Sequence, residues 1–123
     1  MKANNISQQK YSAGKERLLK VLRQWDRSGP APKHEDLQND RTAFDAWKKS
    51  VKDEGWTRKD MYDLINDIYG HHAKKFSAHT VDQLGEFETG ITGRCDQDCI
   101  ERFPGDPEDM DAFLEHVRGN KWR

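Results

Sequence analysis

Two cysteines, Cys95 and Cys99, stand four positions apart, and five histidines are spread along the chain, two of them adjacent at His71 and His72. Thiolates and imidazoles are the usual ligands of zinc, and zinc-site cysteines are commonly separated by about two to four residues. Cys95 and Cys99 with His71 and His72 therefore make one candidate metal set, with His79 in reserve. The same thiols are poor redox groups, because the neighbouring Asp96, Asp98 and Glu101 oppose thiolate formation. No glycine-rich phosphate loop, nucleophile turn or apolar carboxylate pair is present, so no catalytic residue and no cofactor is expected.

The other groups with chemistry to offer are suited to binding. Asp60, Asp63 and Asp67 recur at i, i+3 and i+7 on one helix face, beside Trp56, Tyr62 and Tyr69. Trp122 sits in a basic aromatic tail, Lys121-Trp122-Arg123, at a terminus where side chains are seldom buried. Trp, Tyr and Arg are the residues that anchor interfaces, so Trp56, Tyr69 and Trp122 with the three aspartates form a candidate protein-binding surface. A second candidate is cationic: Lys10, Lys15, Lys20, Arg23 and Arg27, with Arg17 and Lys33 nearby, suit a phosphate track. The pair of helices around Gly55-Trp56-Thr57 has helix-turn-helix spacing, but three carboxylates on its second helix would repel a polyanion.

The elements that position these groups are helical. Leu18, Val21, Leu22 and Trp25 form one stripe of a helix over residues 8–26, ended by Ser28-Gly29-Pro30-Ala31-Pro32. Residues 34–39 read as a polar connector. A second helix follows over 41–54, with Phe44, Trp47 and Val51 inward and Gly55 after it. Thr57 to Asp60 is a weaker relative of the capping box, opening a third helix striped by Met61, Leu64, Ile65 and Ile68 and closed by Gly70. Thr80 to Gln83 has full capping-box chemistry and predicts a short fourth helix to residue 88. Residues 89–105 carry two glycines and no period before Pro104-Gly105, and read as one long irregular loop. Asp106, with Pro107 at the first helical position, predicts a last helix over 106–119.

The expected fold is all-α: a small single-domain bundle of about five short helices in 123 residues. Its parts are a basic N-terminal helical region (1–33), a helical hairpin plus short helix (41–88) and the C-terminal helix (106–119). Leu, Ile, Val and Phe supply only 21 residues, so the core must draw on the four Trp and three Tyr. A core this thin leaves room for a partner, or a second copy as a homodimer, to complete burial. The net charge is −1, yet residues 1–33 hold eight Lys and Arg against two acids, and the rest is acidic. No run approaches the roughly 18 apolar residues of a membrane span. The polar start and sparse cysteines suggest the cytoplasm and no membrane partner.

One stretch carries a resemblance. Phe44, Trp47, Val51 and Gly55-Trp56-Thr57, then Leu64-Ile65 and Tyr69-Gly70, then Ser77, Thr80 and Gln83-Leu84, are similar to a helical module of phage DNA-metabolism proteins. That module occurs in the C-terminal region of single-strand annealing recombinases and in GemA-like regulators of Mu-type phages. The resemblance spans about residues 42–88 and transfers no catalytic residue. It implies a phage-type accessory protein that docks on replication or recombination machinery. The expectation is thus a non-enzymatic protein that binds and modulates or inhibits a host protein of DNA metabolism or defence. Its alternatives are direct nucleic-acid binding by the N-terminal helix and a small zinc-binding module.

Overall fold

The computed structural model describes residues 6–123; residues 1–5, including the Lys2 counted in the basic head, lie outside them. Five α-helices follow one another, α1 Gln8–Ser28, α2 His34–Asp53, α3 Arg58–His71, α4 Ala78–Thr92 and α5 Met110–Arg118. Short 3-10 turns at Ala73–Lys75 and Gln97–Cys99 interrupt the connections, and no strand occurs among the described residues.

Each helix starts and stops for a local reason. The Ser7 hydroxyl accepts the Lys10 N–H at 3.2 Å, and α1 ends where Gly29 takes a φ of +82° just before Pro30. The expected connector at 34–39 is instead the beginning of α2. It forms helix because Pro32 precedes it and Glu35 and Asp36 lie in the first turn, where carboxylates meet the positive end of the helix dipole. The box at Thr57 is complete: Asp60 N–H donates to Thr57 Oγ1 at 3.3 Å, and Thr57 N–H donates to an Asp60 carboxylate oxygen at 2.8 Å. Aspartate reaches as glutamate would.

Two of the expected starts are displaced. Helix α4 opens at Ala78, not Thr80, because the Thr80 hydroxyl donates to Asp26 of α1 at 2.8 Å and is lost to capping. The same helix runs a turn past residue 88 and stops at Gly93, left-handed with φ +80°. Helix α5 is capped by Asp109, whose carboxylate accepts the Ala112 N–H at 3.0 Å, and Asp106 is left for another task. The irregular loop therefore covers 93–109 rather than 89–105.

The core is as aromatic as the composition demands. Trp47 stacks on Phe44 at 6.0 Å between centroids, while Phe87 meets both rings edge-on. Trp56, fully buried, lies parallel to Tyr11 at 5.6 Å. Helix α1 can approach this layer because residue 14 is glycine: a Cβ there would fall 2.5 Å from Trp56 Cζ2. The Gly14 carbonyl also accepts the Trp47 indole N–H at 3.0 Å. Leu18, Leu19, Leu22, Val51, Met61, Leu64, Ile65, Ile68, Leu84 and Ile91 fill the space around the rings. A smaller cluster of Ile100, Phe113 and Val117 holds the long loop to α5.

Candidate interaction surfaces

Three aspartates on one outward face are expected of α3, and the structure does not leave them there. Asp60 is fully buried in its capping box. Asp63 pairs with Lys59 at 3.2 Å along the same helix. Asp67 accepts from Lys15 of α1 at 2.9 Å and from the Tyr11 hydroxyl at 3.4 Å. Burial pushes the Asp67 carboxyl up, but the Lys15 hydrogen bond and charge outweigh it and leave the group below the usual carboxylate range. Burial and the same carboxylate raise the Tyr11 phenol well above its ordinary value. The acidic face is a set of internal contacts.

The aromatic anchors are likewise spent on the fold. Trp56 has no exposed surface at all. Trp122 is buried despite its place at the terminus: its indole N–H donates to the Val117 carbonyl at 3.0 Å and its ring meets Tyr62 edge-on at 5.2 Å. The Arg123 guanidinium lies 4.6 Å from the Tyr62 ring centroid and closes that contact. Tyr69 is half-buried against the core.

The basic face of α1 separates into two groups. Lys15 sits at the edge of the buried stripe and is paired with Asp67, and Arg17 reaches across to Ser50 of α2 and to Glu54 just after it, at 2.6 and 3.0 Å. Lys10 is exposed but lies about 80° or more around the helix from Lys20, Arg23 and Arg27 at 100° per residue. Those last three share an arc of about 60° and are exposed, with no carboxylate in ion-pair range among the described residues.

Cys95, Cys99, His71 and His72 do not converge: no group of three or more His, Cys, Asp or Glu side chains among the described residues is placed to hold a metal ion. The Cys95 thiol donates to the Thr89 carbonyl at 3.5 Å, and burial together with Cys99 raises its pKa.

Three features went unread in the sequence. Arg58, which looks like an exposed cation at a helix start, is 1% exposed and donates to the carbonyls of Gly90, Ile91 and Glu101 and to the Asp106 carboxylate. It lies over the rings of Phe103 and Phe113, so the buried charge is matched on every side. A cleft of about 160 Å³ opens beside this pair, walled by Thr57, Lys59, Gly105, His116 and Trp122. The second feature is Met110, the large apolar side chain left exposed among the described residues, at 40%. Glu108, Asp109 and Asp111 flank it in the chain, and the exposed Asp96 and Asp98 lie on the loop that Cys95 and Ile100 pack onto α5. The third is the turn at Ala73–Lys75, whose Lys74 and Lys75 are exposed.

Compared with protein-family models, curated proteins and solved structures, the chain shows no significant match to any of them.

Proposed function

We propose that this is a small non-enzymatic accessory protein, of the phage type its central segment resembles, that binds and modulates a protein of DNA metabolism or defence. The observation that carries this reading is Met110, an exposed apolar side chain at the start of α5 that Glu108, Asp109 and Asp111 flank in the chain. Asp96, Asp98, Glu108 and Asp111 have no ion-pair partner among the described residues. Leu114, one turn after Met110, continues the apolar strip toward the Ile100, Phe113 and Val117 cluster.

An apolar anchor flanked by carboxylates fits a basic surface that carries an apolar depression. On a protein of DNA metabolism such a surface is the one that receives nucleic acid. Occupying it would exclude the polyanion, which gives inhibition without catalysis. The flanking charge sets orientation and association rate, while the desolvated methionine contributes to affinity.

A tagged pull-down from bacterial lysate, with and without nuclease, tests this with the native chain and with Met110→Lys/Asp111→Lys. The reading expects one dominant protein that survives nuclease and disappears with the double variant. Loss of every captured protein on nuclease treatment, or capture unchanged by the variant, would overturn it.

A further inference from the structure

We infer that the outer face of α1, together with the turn at Ala73–Lys75, is a binding surface for the phosphate backbone of nucleic acid. This does not rest on the acidic lobe around α5, which sits on a different helix and would take a partner of opposite charge.

The surface is assembled by the fold, because its two parts lie some fifty residues apart in the chain. Ser77, just after the turn, donates its N–H and its hydroxyl to the Asp26 carboxylate of α1 at 2.8 and 2.5 Å. Thr80 adds a third hydrogen bond to the same oxygen, and the His79 ring reaches the Trp25 carbonyl at 3.3 Å. Phe76 packs into the core between them. These contacts fasten the turn alongside the C-terminal half of α1. His72, next to the turn, feels the positive charges of both Lys15 and Lys75; burial and those charges lower its pKa.

Five cations result: Lys20, Arg23 and Arg27 on α1, Lys74 and Lys75 on the turn, all exposed and none in an ion pair among the described residues. Two acids lie near. Asp26 is turned toward Ser77 and Thr80, whose hydrogen bonds hold its carboxyl below the usual range. Glu16, one turn before Lys20, is exposed and marks the end of the cationic track.

The chemistry of the face selects the ligand. Its other outward residues, Ser12, Ala13 and Gln24, are small or polar, so the face offers no large apolar side chain to a lipid layer and no aromatic anchor to a protein interface. What remains is charge and hydrogen-bond donation, with guanidinium groups suited to phosphate oxygens. Binding of this kind is independent of base sequence and strongly dependent on salt.

The test is fluorescence anisotropy with a labelled DNA duplex of random sequence, titrated with the full chain over a range of salt. With all five cations engaged, the log–log salt slope should be about −4.5, or a loss of roughly 500-fold in affinity between 50 and 200 mM salt. The variant Lys20→Gln/Arg23→Gln/Arg27→Gln should cut the slope to about −2 while leaving the helical circular dichroism and melting temperature unchanged, since these side chains are exposed. Lys74→Gln/Lys75→Gln should remove the remainder. No binding at low salt, an unaltered slope in the triple variant, or binding to anionic phosphatidylserine vesicles in preference to DNA would overturn the proposal.

Discussion

The guanidinium of Arg58 and the carboxylate of Asp106 meet at 2.9 Å across 48 residues of chain, with 1% and 4% of their side chains exposed. The pair joins the start of α3 to the end of the long loop. Asp106 also accepts the Phe103 N–H at 2.7 Å, and Arg58 holds the carbonyls that close α4. One ion pair therefore ties together three segments whose Met61, Ile91 and Phe103 also share the core.

Removing either partner should be costly. Arg58→Met leaves the buried Asp106 carboxylate without its cation and the Ile91 and Glu101 carbonyls without this donor, and the expected loss is about 3–5 kcal/mol. Asp106→Asn keeps an acceptor and most of the shape, so its loss should be smaller, about 1–3 kcal/mol. Urea unfolding followed by circular dichroism measures both. Equal effects, or an Arg58→Met protein of native stability, would mean that the loop is held by something else.

Gly14 and Gly70 offer opposite outcomes from the same substitution. At Gly14 an added methyl would press on Trp56 at 2.5 Å, and the ring is confined by Tyr11 and Trp47. Gly14→Ala should destabilise by about 1–3 kcal/mol despite the better helix propensity of alanine. Gly70 lies in the last turn of α3, where an added methyl would have no atom within 4 Å and φ is not positive. Gly70→Ala should stabilise by roughly 0.5 kcal/mol. Melting temperatures moving in the same direction would contradict the close approach of α1 to Trp56.

Acid should weaken the fold through specific carboxylates. Glu101 is pushed up by burial, but hydrogen bonds from Lys52 and Lys48 at 2.9 Å pull it below its ordinary 4.5. Asp26 is lowered from 3.8 by its bonds to Ser77 and Thr80. A carboxyl depressed in the folded state contributes stability above its unfolded pKa and loses it as pH falls through the folded one. The melting temperature should thus be flat near neutrality and decline as pH drops below these ordinary values. In Glu101→Gln the decline should be shallower, from a lower starting stability; an unchanged acid profile would remove Glu101 from the explanation.

Much of the helical plan is legible because it is local. The stripe of Met61, Leu64, Ile65 and Ile68 is buried as its spacing requires, and Gly29 and Thr57 terminate and start helices where their chemistry directs. What misleads is competition for the same polar group. Thr80 and Asp106 both have the makings of a cap, yet one donates to Asp26 and the other neutralises Arg58, and neither partner is near in sequence. The binding residues suffer from the thin core. With few aliphatic side chains to bury, Trp56 and Trp122 are drawn inside, and residues suited to an interface become structure. Exposed positions such as Met110, Lys74 and Lys75 carry no sequence signal of their own. They acquire meaning only when α5 and the 3-10 turn are placed beside their neighbours.

Trp122 distinguishes a structural tail from a binding tail. Its indole is fixed by the Val117 carbonyl, Tyr62 and Arg123, with 9% of the residue exposed. Trp122→Ala removes a large buried ring from the junction of α3 and α5, and should cost about 3 kcal/mol, the low end for a buried aromatic because the terminus can partly collapse. Trp122→Phe keeps most of the packing and loses the hydrogen bond, for about 1 kcal/mol. Because α5 carries Met110, loosening this junction should also weaken capture of a protein partner, in proportion to the lost stability. Lower temperature should restore that capture, and a Gly70→Ala background, worth roughly 0.5 kcal/mol, only a small part of it. An alanine variant that melts like the native chain while losing its partner would instead return Trp122 to the interface.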